Sequence, residues 1–172
     1  MPENDSEKWR YQKVLENYIG CKAAIKLLIL DVDGVLTDGT KIYNENHKPI
    51  YKKFRCKDFT AIKRFIAAGV KVVMLSGDNW NKEMAQQRNI PFYCTRGKDL
   101  SLDKSVHLNH LSVNYKINLE NMAFVGDDYF DLSMFKNLFW TFAPSDAPKI
   151  IRQNCLYKLK AKGGEGVVQE IY

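Results

Sequence analysis

Short apolar runs alternate with amphipathic stretches along the chain, and several of these runs end on small or acidic residues. Lys26 to Leu30 reads as a buried strand that stops at Asp31. Val70 to Leu75 is a second and stops at Ser76-Gly77, while Met122 to Val125 is a third and stops at Gly126-Asp127. Pro91 to Cys94 and Leu138 to Phe142 read as two more. Brief apolar runs bounded by turn residues suit strands covered on both faces. The stretches between them predict helices. Asp58 is the expected cap of a helix that carries Ile62, Phe65 and Ile66 and closes at Gly69. Asn79 to Arg88, Leu102 to Leu111 with Ser101 as its cap, Leu132 to Phe135 and Ala147 to Gln153 are the others. Lys41 to Tyr43 and Pro49 to Phe54 predict a hairpin around the turn Asn44-Glu45-Asn46-His47-Lys48. Residues 1–22 are polar with scattered apolar positions, which predicts a helical or loosely ordered extension ahead of one domain over 23–172.

Strand and helix in alternation predict an α/β fold, a Rossmann-like doubly wound parallel sheet. The hairpin is an insertion in it, and no insertion is large enough to build a mobile cap domain. In such sheets ligands bind beyond the carboxyl ends of the strands. The residues expected there are Asp31 and Asp33, Ser76 and Gly77, and Gly126 with Asp127 and Asp128. Each group alone is weak, since Asp-x-Asp is common in loops and Ser-Gly marks ordinary turns. Their order on alternating strands is far more specific.

Carboxylates meeting in one crevice repel, and one would take up a proton unless a cation sits among them. Magnesium suits the donor set, because it prefers oxygen ligands and binds through one or two carboxylates plus substrate phosphate. Zinc would want histidine or cysteine, and His47, His107 and His110 fall outside the expected crevice. A strand-end carboxylate beside magnesium can attack phosphorus and form an aspartyl-phosphate, which makes Asp31 the candidate nucleophile. Asp33, two residues on, is placed to protonate the leaving oxygen and later to activate water. Ser76 and Gly77 offer a hydroxyl and an N–H to the phosphoryl oxygens, and Lys104, with Lys98 as second choice, offsets their charge.

Composition limits the alternatives. With 172 residues the chain has length for one substantial core. No apolar stretch approaches a bilayer's width, and Glu3, Asp5 and Glu7 stand where a signal peptide would be basic, so a cytoplasmic protein is expected. Cys21, Cys56, Cys94 and Cys155 are too scattered for a zinc knuckle and read as reduced thiols. The net charge of +6 is concentrated: between Lys41 and Arg64 eight cations face only Glu45 and Asp58. Such a run attracts anions, or simply keeps a strand edge solvated. Nucleic acid is not the expected partner, because no aromatic residues interleave a basic groove.

Asp31-Val32-Asp33-Gly34-Val35-Leu36-Thr37-Asp38-Gly39, the hairpin to Phe54, Lys57-Asp58, Ser76-Gly77, Lys104, Gly126-Asp127-Asp128 with Asp131, Asp146-Ala147 and the tail Gly163-Gly164-Glu165-Gly166 together resemble the haloacid dehalogenase superfamily. Within it the chain is similar to the cap-less group of 3-deoxy-D-manno-octulosonate 8-phosphate and nonulosonate 9-phosphate phosphatases. The resemblance implies Asp31 as nucleophile and metal ligand, Asp33 as acid/base and as a ligand through its carbonyl, and Asp127 as the remaining magnesium ligand. It implies Lys57, Ser76, Gly77 and Lys104, with Asp33, as substrate contacts. It also implies a homotetramer assembled through the hairpin at 40–54, and a small phosphorylated sugar acid, of the kind used in lipopolysaccharide synthesis, as substrate. Asp78 stands where the group carries arginine, and Gln169 where its tail does. A catalytically retired assembly or regulatory domain with the same fold is the competing reading.

Overall fold

The computed structural model describes residues 24–96 and 103–172. The expected extension at 1–22, the Ser101 cap and Lys98 lie outside the described residues.

Six strands form one parallel sheet. They are β1 (Leu27–Leu30), β4 (Lys71–Ser76), β5 (Phe92–Cys94), β6 (Met122–Val125), β7 (Trp140–Ala143) and β8 (Tyr157–Lys158), in the order β5-β4-β1-β6-β7-β8. β1 is central, with Leu27 opposite Lys71 on one side and Met122 on the other. Its four residues are wholly buried. Burying a leucine or isoleucine fully contributes roughly 1.5–3 kcal/mol each, so β1 organises the core around it.

Alternation along β1 divides that core in two. Leu28 and Leu30 face α1 (Cys56–Ala67), α2 (Asn81–Gln87) and α6 (Val167–Ile171). Leu27 and Ile29 face α3 (His107–Tyr115), α4 (Leu132–Asn137) and α5 (Lys149–Asn154). The sheet thus has helices on both faces, as near-continuous apolar strands require. β2 (Ile42–Tyr43) and β3 (Pro49–Tyr51) pair antiparallel as a separate hairpin. Ile42, Tyr43, Ile50 and Tyr51 on it are all exposed.

The expected elements are present with shifted ends. β8 was not anticipated, because two residues carry no periodicity. The helix expected to be capped by Asp58 has its N-cap three residues earlier, at Arg55, with no side-chain cap. Asp58 faces inward instead, and its Oδ1 accepts from the backbone N–H groups of Val168 (2.8 Å) and Gln169 (3.0 Å) at the start of α6. Gly69 does follow the helix, at φ 87°, a conformation that favours glycine. Cys56, Cys94 and Cys155 are free thiols, as expected.

Candidate active site

β1, β4 and β6 end side by side, and their next residues meet in one crevice of about 190 Å³. Asp31, Asp33, Ser76, Gly77 and Lys104 line it, together with Asp78, Arg96 and Lys41. The sequence-derived groups are therefore brought together, except Lys57. That lysine is exposed on α1 and lines a separate groove with Gln169 and Tyr172. The helix explains its absence: Asp58 is turned inward to hold α6, and the adjacent position points elsewhere.

The floor is acidic and buried. Asp31 is 6% exposed, and its Oδ1 accepts from Val32 N–H at 2.8 Å. Carboxylate oxygens of Asp31, Asp127 and Asp131 lie within 4.8 Å of one another. Burial pushes Asp31 up to about 7, against the pull of Lys104. Burial and then the charges of Asp31 and Asp131 push Asp127 up to about 8. Asp127 Oδ1 is buried without a hydrogen-bond partner among the described residues. A buried, unpartnered carboxylate oxygen beside two further carboxylates is what a hard divalent cation would relieve. Among the described residues no histidine or cysteine lines the crevice, and the oxygen donor set fits magnesium rather than zinc.

Asp131 has a different task from Asp127. Its Oδ2 accepts from the N–H groups of Asp127 (2.8 Å) and Asp128 (3.0 Å), which fixes the turn after β6. Its Oδ1 lies 2.6 Å from Lys104 Nζ, and Asp31 Oδ2 lies 2.9 Å from the same nitrogen. Burial alone would lower Lys104, but the two carboxylates outweigh it and keep the ammonium charged well above its ordinary range. Gly34 sits against this group at φ 86°, and a Cβ there would come within 2.0 to 2.5 Å of the Asp127 carboxylate. Glycine at this position is thus required twice, by conformation and by space.

Asp33 belongs to a second network that sequence reasoning missed. Lys52 leaves the hairpin with a side chain that is 0% exposed. Its ammonium donates to Asp33 Oδ1 (2.6 Å), Asp78 Oδ2 (2.8 Å) and Asn81 Oδ1 (2.8 Å). The Asn81 amide donates in turn to Asp33 Oδ2 (3.0 Å) and Ser76 Oγ (3.1 Å). Lys41 closes the rim at 2.7 Å from Asp78 Oδ2. Burial works to raise Asp78, but bonds from Lys41 and Lys52 outweigh it and hold the carboxyl below its ordinary range. The residue standing in place of an arginine is thus neutralised by two lysines of the hairpin segment. One signal for Lys52 was available: in the run expected as a strand from Pro49 to Phe54 it falls at a period of two from Ile50 and half-buried Phe54.

Comparison with known proteins places this arrangement. A family described as haloacid dehalogenase-like hydrolase matches residues 98–171. The curated 3-deoxy-D-manno-octulosonate 8-phosphate phosphatase KdsC of Haemophilus influenzae is 33% identical over 168 residues, covering 93% of this chain and 83% of the relative. The chain belongs to the haloacid dehalogenase-like hydrolases. Solved members of the family agree with the fold. A cobalt-bound octulosonate 8-phosphate phosphatase from Haemophilus influenzae superposes with a TM-score of 0.79 at 30% identity, covering 88% of this chain and 86% of its own. One from Moraxella catarrhalis, in complex with magnesium, phosphate and a KDO molecule, gives 0.80 at 25% identity, covering 90% and 87%. Among the described residues the six-stranded sheet is accompanied by a separate hairpin and no large cap.

Proposed function

We propose that the chain is a magnesium-dependent phosphate-monoester hydrolase whose substrate is a phosphorylated sugar acid of the octulosonate or nonulosonate type. The observation that carries this reading is the buried cluster of Asp31, Asp127 and Asp131 around Lys104, with Asp127 Oδ1 unpartnered among the described residues. A retired site would have no use for so much buried like charge, so the assembly-domain reading is not favoured. The substrate class follows the relatives named above.

Asp31 attacks the phosphorus atom, and the sugar oxygen leaves as an aspartyl-phosphate forms. Asp33 gives that oxygen its proton, then takes one from the water that attacks the phosphorylated Asp31 and releases inorganic phosphate. Ser76 Oγ, Gly77 N–H and Lys104 Nζ hold the phosphoryl oxygens through both steps. Asp31 and Asp127, with the main-chain carbonyl of Asp33, would hold magnesium, which supplies charge neutralisation at the phosphoryl group. Asp131 keeps Lys104 aimed at Asp31 and keeps the Asp127 turn rigid. Asn81 and Lys52 orient Asp33 from the other side.

The exposed apolar residues of the hairpin, Ile42, Tyr43, Ile50 and Tyr51, support assembly of copies through 40–54 into a homotetramer. Among the described residues no helix is long and apolar enough to cross a membrane. The test is phosphate release from a panel of phosphosugars and an aryl phosphate in millimolar magnesium. Asp31→Asn is nearly isosteric and should abolish turnover while leaving the fold and assembly intact. Wild-type protein inactive on the whole panel, or an active Asp31→Asn, refutes the proposal.

A further inference from the structure

We propose that Arg96 is the residue that reads the substrate, by holding the carboxylate of a phosphorylated sugar acid; this rests on the phosphatase reading above. The other described cations around the crevice are committed. Lys104 is shared by Asp31 and Asp131, Lys41 is bound by Asp78, and Lys52 is bound by Asp33 and Asp78. Arg96 also lines the crevice, and it has no carboxylate partner among the described residues. Among the described residues it is the one cation lining the crevice that no carboxylate holds.

Its placement separates it from the phosphoryl group. Ser76 and Lys104 form the floor, 1% and 4% exposed, whereas Arg96 is exposed at the rim. A substrate whose phosphoryl group reaches Asp31 therefore brings its distal part, not its phosphate, to Arg96. The backbone holds the arginine there. It follows β5 directly, and Thr95 N–H before it donates to Ser76 C=O at 3.0 Å, continuing the sheet. The side chain lies over Gly77, where a Cβ would stand 3.1 Å from Arg96 Nε and 3.5 Å from its Cγ. Gly77 has no positive φ to require glycine, so the arginine's passage is what the missing side chain allows. A planar guanidinium matches a carboxylate in a two-point fork that a lysine ammonium does not reproduce. This also accounts for Asp78: an acidic residue after Ser-Gly is tolerated because Lys41 and Lys52 neutralise it, and anion reading passes to the end of the next strand.

The experiment compares wild type, Arg96→Gln and Arg96→Lys as full chains in magnesium on three substrates: octulosonate 8-phosphate, mannose 6-phosphate and p-nitrophenyl phosphate. Arg96→Gln should raise KM for the acidic sugar roughly ten- to a hundredfold, the value of a charge-assisted hydrogen bond, with kcat little changed. KM for the two substrates without a carboxylate should stay within about twofold. Arg96→Lys should fall between. Equal losses on all three substrates would mean that Arg96 serves the phosphoryl group and would overturn the assignment, as would an unchanged KM for the acidic sugar. Wild type that cleaves only the uncharged sugar or the aryl phosphate overturns the carboxylate assignment and leaves the phosphatase reading standing. Wild type that cleaves nothing overturns both. Since Arg96 is exposed, unchanged melting temperatures will certify that the variants are folded.

Discussion

Lys52→Met removes the ammonium that joins the hairpin to the crevice while keeping most of the stem's volume. Breaking a buried ion pair from one side costs about 3–5 kcal/mol, because the other charge is stranded. Here the stranded groups keep some relief. The side chains of Asp33 and Asp78 are 26% and 21% exposed, Asp78 retains Lys41 at 2.7 Å, and Asp33 retains Asn81 at 3.0 Å. The expected loss is therefore about 2–3 kcal/mol. Methionine fills the channel of the lysine stem, so a cavity adds little. In a chain of this length each kcal/mol moves the melting temperature by about 2–4 °C, which gives a fall of roughly 5–10 °C. Thermal unfolding followed by circular dichroism reads this directly. Asp78→Asn supplies the control: combined with Lys52→Met it should cost less than the two separate losses by about 1 kcal/mol. A melting temperature within about 1 °C of wild type, or strict additivity, refutes the claim that Lys52 is a stabilising partner of Asp33 and Asp78.

Gly34→Ala should abolish the rise in melting temperature that magnesium causes, since its Cβ would occupy the space of the Asp127 carboxylate; a full magnesium response in this variant refutes that packing. The acidic cluster also predicts a pH dependence. Asp31 and Asp127 have folded values raised to about 7 and about 8 from 3.8, so their contribution is fully present below about 4 and is lost as pH rises through 7 and 8. Without metal, the contribution of these two carboxyls should decline from about pH 4 and level off above about 8. Magnesium competes with those protons, so its stabilising effect should be larger at pH 8.5 than at pH 6; an equal shift at both refutes the coupling.

The catalytic half of the crevice was legible because it sits where the chain changes character. Buried parallel strands need apolar runs, and the residues ending Leu27–Leu30, Lys71–Ser76 and Met122–Val125 converge once those strands lie side by side. Asp31, Ser76 and Asp127 could be read this way without any contact being known. Lys57 and Lys52 could not be told apart by the same means. Both lie in one basic run, and only the direction of the hairpin and the inward turn of Asp58 send Lys52 to Asp33 and Lys57 to another groove.

What the sequence by itself determined was the strand pattern, the parallel sheet and the polar residues at its carboxyl end. Burial imposes a period on the chain, and a period is a local signal that survives without coordinates. The tertiary structure alone decided which charges meet. Asp58 binds α6 across 110 positions, Lys52 binds Asp33 across 19, and Asp131 takes Lys104 rather than standing free beside Asp127. Among the described residues Arg96 has no carboxylate partner, while the lysines of the crevice are paired. Such pairing depends on separations of a few ångströms between groups far apart in sequence, and a charge carries no local mark of the partner it will find.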